Sequence, residues 1–138
     1  MDLYAFKIYM LDVGLLLAMT DLDASVIIDG NRIFTEFKGA LTEQYVLQQM
    51  IAELGVEPYD DTTAKSTGDI DFMLQAPGAV IPVEGKAEEN LRAKSLRAFC
   101  EKYHPQHAVR TSMSDFREQD WMTNIPLYNI DRIGEYLK

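Results

Sequence analysis

The chain has 138 residues, 13 basic and 22 acidic, for a formal net charge of −9. That is the length of one ordinary domain, and 47% hydrophobic with 25% charged residues is the composition of a folded globular chain rather than a disordered one. No apolar run reaches the ~18 residues of a membrane span, no basic-then-apolar leader opens the chain, no G-x-x-x-x-G-K-[ST] phosphate loop is present, and the lone Cys100 excludes an intrachain disulfide, so a reducing cytoplasm is the expected location.

In chain order, a short apolar stretch (Ile8, Tyr9, Met10, Leu11) leads to Asp12, which is placed to cap a short helix through Leu15, Leu16, Leu17 and Met19. Val26, Ile27 and Ile28 form a short strand or an apolar lid, ended by Asp29-Gly30. The longest helical pattern runs from Arg32 to Leu54. Phe37, Leu41 and Ile51 form one stripe, Ala40, Leu47, Met50 and Leu54 an adjacent one, and Gly55 is the stop. Glu43 falls on the second stripe, where an unpaired charge is costly. Asp69 to Gln75 alternates as a strand, Pro77-Gly78 is a turn, and Val80 to Lys86 returns as the second strand of a hairpin. A turn centred on Pro77-Gly78 sets Asp71 opposite Glu84 and Asp69 opposite Lys86, so Glu84 and Lys86 share a face with each other and with Asp71. A helix over 92–103 buries Leu96, Phe99 and Tyr103 and is stopped by Pro105. Strands follow at Ala108–Ser112 and Ile125–Tyr128, with a capping box at Ser112–Asp115 opening a short turn and a closing helix over Ile130–Lys138. This order predicts an α/β fold.

Four side chains are thereby expected to converge: Glu43, Asp71, Glu84 and Lys86. Three neighbouring carboxylates repel one another, and a hard divalent cation such as Mg²⁺ relieves that repulsion. A lysine two residues after a carboxylate ligand reaches the same space. There it can orient an attacking water or stabilise a developing negative charge. The charge is uneven: residues 1–61 hold 3 basic and 11 acidic side chains, residues 62–138 hold 10 and 11. Any surface facing a polyanion therefore lies in the second half.

Gly68-Asp69-Ile70-Asp71-Phe72 followed by Ile81-Pro82-Val83-Glu84-Gly85-Lys86-Ala87 resembles the D-x(n)-(D/E)-x-K signature of the PD-(D/E)XK nuclease superfamily. Lys7–Leu16, Gly39–Val46, Arg110–Asp115 and Ile125–Tyr128 resemble successive elements of one branch. That branch is the nuclease-like C-terminal domain of unknown function carried by bacterial and archaeal AAA+ ATPases. The resemblance implies a restriction-endonuclease-like core with a central mixed sheet flanked by helices. Residues 1–20 would be a lead-in segment and 32–138 the core, without the ATPase and winged-helix portions. It implies Mg²⁺ or Mn²⁺ held by Glu43, Asp71 and Glu84, Lys86 serving the water, and cleavage of DNA. Gly85 departs from the usual aliphatic residue and Gln49 from a frequent glutamate.

The rival expectation is a non-catalytic relative that docks to an ATPase domain or another protein, or that associates with its own copies. The N-terminal acidity and Gly85 favour it. Asp69 reads as a strand-edge residue or the partner of Lys86, and Glu36 as a solvated first-turn acid. Cys100, His104 and His107 give a C-x₃-H-x₂-H spacing. Structural zinc sites have four ligands, so these read as a small buried thiol and two loop histidines. Arg92, Lys94 and Arg97 read as a solvated helix face, and Trp121 as core or interface.

Overall fold

The computed structural model describes residues 7–20, 32–56, 58–59, 70–87 and 93–137, with side chains in the long helix from residue 38 onward. The apolar segment expected at 26–28, Asp69 and Arg92 lie outside the described residues, as does the side chain of Glu36.

Helix α1 (Val13–Met19) starts as expected at Asp12, whose carboxylate accepts the amides of Gly14 and Leu15 at 2.8 and 3.2 Å. None of its residues is buried. Helix α2 (Arg32–Leu54) ends at Gly55, which adopts φ 61° and donates its amide to the Ile51 carbonyl at 3.0 Å. Its buried face carries Thr42, Val46 and Met50, whereas Ala40 and Ile51 are exposed. The second expected stripe holds at Met50, which is buried, and at Leu47 and Leu54, which pack half-buried against the core; Thr42 and Val46 take the place of Ala40 on that face.

Strands β1 (Phe72–Ala76) and β2 (Ala79–Gly85) form an antiparallel hairpin paired from Phe72↔Val83 to Ala76↔Ala79. This is the expected register, turned at Gly78 with φ 74°. Helix α3 (Lys94–Tyr103) carries the chain over to β3 (Val109–Ser112), parallel to β2. Leu96 is buried and Phe99 half-buried, but Tyr103 is exposed, its ring 4.6 Å from that of Phe99. It sits on the last turn of the helix. His104 caps this helix in the left-handed region (φ 48°), its amide on the Cys100 carbonyl.

The last strand, β5 (Thr123–Pro126), begins two residues earlier than expected and lies parallel to β3; a two-residue strand, β4 (Arg117–Glu118), pairs antiparallel with it. Arg-Glu has no apolar alternation to reveal it, and Thr123-Asn124 conceals a buried strand behind polar side chains. The Ser112 hydroxyl accepts the Ser114 amide at 3.2 Å and tightens the bend at residues 113–114, the position of the expected short turn. The closing segment, Leu127–Tyr136, is 3₁₀ with a break at Asn129, not an α-helix. Ile130 and Ile133 eclipse each other at the three-residue period, and both are buried.

The sheet order is β1-β2-β3-β5-β4, with three parallel inner strands between antiparallel edges. Val46 and Met50 of α2 and Ile130 and Ile133 of the closing segment pack with Phe72, Leu74, Ile81, Val83, Val109 and Ile125 of the sheet. A second cluster, Ile70, Ala93, Leu96, Ala108 and Met122, lies under α3. The fold is α/β, a five-stranded mixed sheet flanked by helices. Among the described residues no helix is long and apolar enough to cross a membrane.

Candidate functional site

Strand alternation decides where the hairpin's side chains go. Val83 packs with Val46 and Met50 of α2. Gly85 faces the same way: a Cβ there would meet Val46 Cγ2 at 3.4 Å, Thr42 Cγ2 at 3.7 Å and Asp71 Oδ2 at 3.8 Å. Glu84, between them, projects from the opposite face, and Lys86 projects with it. The Lys86 ammonium stands 3.1 Å from Glu84 Oε1, a half-exposed cation on a carboxylate that is 1% exposed. The other Glu84 oxygen, Oε2, is buried and has no hydrogen-bond partner among the described residues.

Asp71, one residue before β1, is buried, and its Oδ2 accepts the Gly85 amide at 2.8 Å. Burial, and then the charge of Glu43, push its pKa up to about 6; the Gly85 hydrogen bond and the charges of Lys86 and Lys7 pull less strongly the other way. Glu43 reaches toward this point from α2, and its Oε2 lies 3.4 Å from the Lys7 ammonium and 3.5 Å from the Tyr9 hydroxyl.

Two pairs form at the C-terminal end of β2: Glu84 with Lys86 on one face, and Asp71 on the Gly85 amide, within the field of Glu43, on the side covered by α2. Among the described residues no group of three or more His, Cys, Asp or Glu side chains is arranged as metal ligands. That holds for Cys100, His104 and His107 as well; the His107 ring packs 5.4 Å from Tyr136. Lys94 and Arg97 are exposed, and Arg97 bonds Glu101 at 3.1 Å while its guanidinium lies 5.8 Å from the Trp121 ring. Trp121 packs half-buried against the cluster under α3.

The glycine at position 85 has a structural reason, since α2 crosses directly over it. Gly85→Ala adds only ordinary van der Waals contacts and is expected to be close to neutral in urea unfolding. Gly85→Val forces γ-carbons into Val46 and Thr42 and is expected to cost about 1–3 kcal/mol; a valine variant as stable as wild type would show that α2 yields freely.

Sequence reasoning missed the other half of this region. Arg110 is the ladder partner of Glu84 and fully buried. Its Nε donates to Asn124 Oδ1 at 2.9 Å. The Ser112 hydroxyl donates to the same oxygen at 2.7 Å, and Asn124 Nδ2 donates to the carbonyls of Ser114 and Asp115 at 3.2 and 2.9 Å. Burial lowers the Arg110 pKa and the neighbouring Glu84 charge opposes that shift. The available signal was polar residues at one parity of two inner parallel strands, which are normally covered on both faces.

Also missed was the pair Gln44 and Gln48, one helical turn apart. Gln44 accepts the Met10 amide and donates to the Met10 carbonyl, both at 2.7 Å; Gln48 accepts the Val13 amide at 2.9 Å and donates to Asp12 Oδ2 at 3.0 Å. Residues 7–13 are held along α2 by these contacts. Comparison with curated proteins and with solved structures gave no match. Residues 38–130 do match a protein family, and on that match the chain belongs to DUF4143, a domain of unknown function.

Proposed function

We propose that this domain is a restriction-endonuclease-like module of an AAA+ ATPase that binds Mg²⁺ or Mn²⁺ and cleaves phosphodiester bonds in DNA. The observation that carries the reading is the pairing at the end of β2. Asp71, buried and with its pKa pushed up to about 6, bonds the Gly85 amide there, and Glu84, next in the chain to that glycine, is a buried carboxylate with one oxygen that has no hydrogen-bond partner among the described residues. These donors fit a hard divalent cation: all are oxygens, the repulsion between Asp71 and Glu43 favours added positive charge, and Mg²⁺ commonly takes only one or two carboxylates with water completing its shell. Asp71, Glu84 and Glu43 would be the residues that hold it.

The cation would supply Lewis-acid polarisation of the phosphoryl oxygen and a more acidic bound water. The chain's own groups do the rest. The Gly85 amide orients the Asp71 carboxylate, and Lys86, half-exposed, orients the attacking water and stabilises the negative charge that develops. The test is cleavage of plasmid and single-stranded DNA with Mn²⁺, comparing wild type with Asp71→Ala and Lys86→Ala. Loss of cleavage in both variants supports the reading; equal rates in all three proteins overturn it.

A second reading, a docking module without catalysis, is favoured by the apolar exposure of the lead-in region: Ile8 is 78%, Leu11 88% and Met19 72% exposed. Light scattering separates this case. Self-association abolished by Leu11→Glu with Met19→Glu, together with no metal-dependent cleavage, would favour docking.

A further inference from the structure

We propose that residues 7–13 are a regulatory strap, and that the Lys7 ammonium is a built-in competitor of the divalent cation. The inference rests on the cation-binding reading of Asp71 and Glu84. Lys7 Nζ stands 3.4 Å from Glu43 Oε2, and Tyr9 shares that oxygen. Its charge also acts on Asp71, against the repulsion from Glu43. It therefore supplies in place part of the positive charge that the acidic side chains would otherwise draw from a cation.

Lys7 is delivered there by a clasp and one anchor, Tyr9, whose ring packs at the edge of the core 5.9 Å from that of Phe72. Gln44 grips both backbone polar groups of Met10, and Gln48 grips the Val13 amide and the Asp12 carboxylate. Each glutamine uses both ends of its amide, which sets the register of the strap on α2. No residue of α1, immediately downstream, is buried. The strap is thus held by four part-buried side-chain hydrogen bonds and a single ring at the edge of the core, few enough contacts to open locally without unfolding the sheet. Coupling between strap and cation is reciprocal. Cation binding displaces Lys7 and loosens residues 7–13, and whatever draws those residues away from α2 tightens cation binding.

The experiment is Mn²⁺ titration by calorimetry on the whole chain, comparing wild type, Lys7→Gln and Gln44→Ala/Gln48→Ala, with amide hydrogen exchange read at Met10 and Val13. Lys7→Gln removes a charge from a partly exposed pair and is expected to tighten Mn²⁺ binding by about two- to fivefold. The double glutamine variant, which keeps Lys7, is expected to tighten it similarly. Saturating Mn²⁺ is expected to speed exchange of the Met10 and Val13 amides in wild type. Wild-type binding that Lys7→Gln leaves unchanged or weakens, or exchange at both amides that Mn²⁺ does not alter, overturns the strap and leaves the cation site standing. Absence of binding in wild type and Lys7→Gln alike overturns the site and the strap with it.

Discussion

Asp71→Asn is expected to make the protein more stable at neutral pH. The carboxyl group has a pKa of about 6 in the fold against 3.8 as its ordinary value. Between those values the folded chain binds more protons than the unfolded one, so stability falls as pH rises through the window from about 4 to 6 and the loss is complete near pH 7. At 1.36 kcal/mol per pH unit the shift corresponds to about 3 kcal/mol. Asparagine removes the charge that burial and Glu43 disfavour, and its side-chain carbonyl can still accept the Gly85 amide, though less strongly than a carboxylate. The net gain is expected to be about 1–2 kcal/mol at pH 7, shrinking toward zero at pH 4. Urea unfolding of both proteins from pH 4 to 8 measures it. Curves that stay parallel would mean that Asp71 does not carry the strain assigned to it.

Arg110→Met is expected to have the largest destabilising effect. The change leaves Glu84 buried without its ladder neighbour and takes the Nε donor away from Asn124, which organises the loop after β3. Removing one member of a buried charge pair costs about 3–5 kcal/mol. The half-exposed Lys86 remains on Glu84, which places the expected loss at the lower end, about 3 kcal/mol. Glu84→Gln in the same background is expected to recover at least about 1 kcal/mol, because the isolated charge is then gone as well. Additive losses across this double-mutant cycle would show that the two residues pack side by side without electrostatic coupling.

The hairpin was legible from sequence because its register rests on local chemistry: Pro77-Gly78 fixes the turn, and the alternation from Ile70 to Leu74 fixes which side chains face inward. The Asp12 cap and the Gly55 stop were legible for the same reason. The strand around Asn124 was not, because its inward residue is polar and becomes tolerable only through Arg110, Ser112 and two loop carbonyls distant in sequence. The closing segment misled because Ile130, Ile133 and Leu137 satisfy an α-helical spacing, while Ile130 and Ile133 alone satisfy a 3₁₀ one equally well. At the candidate site the spacing located Glu84 and Lys86 on one face. It could not reveal that Gly85 lets α2 settle on the sheet, or that Asp71 turns to bond the Gly85 amide. Gln44 and Gln48 carried no motif, since their function depends on a segment more than thirty residues upstream.

The claim on which the functional reading turns is that Asp71 and Glu84 bind a divalent cation. The direct measurement is the unfolding free energy of wild type and Asp71→Asn with and without Mn²⁺ at pH 7. A ligand at about a hundred times its Kd stabilises the state it binds by about 2.7 kcal/mol. Wild type is therefore expected to gain stability as Mn²⁺ rises, while Asp71→Asn, the more stable protein without the cation, gains little and loses its advantage. An equal response in both proteins, or none in wild type at millimolar Mn²⁺, would contradict a cation site at these two carboxylates.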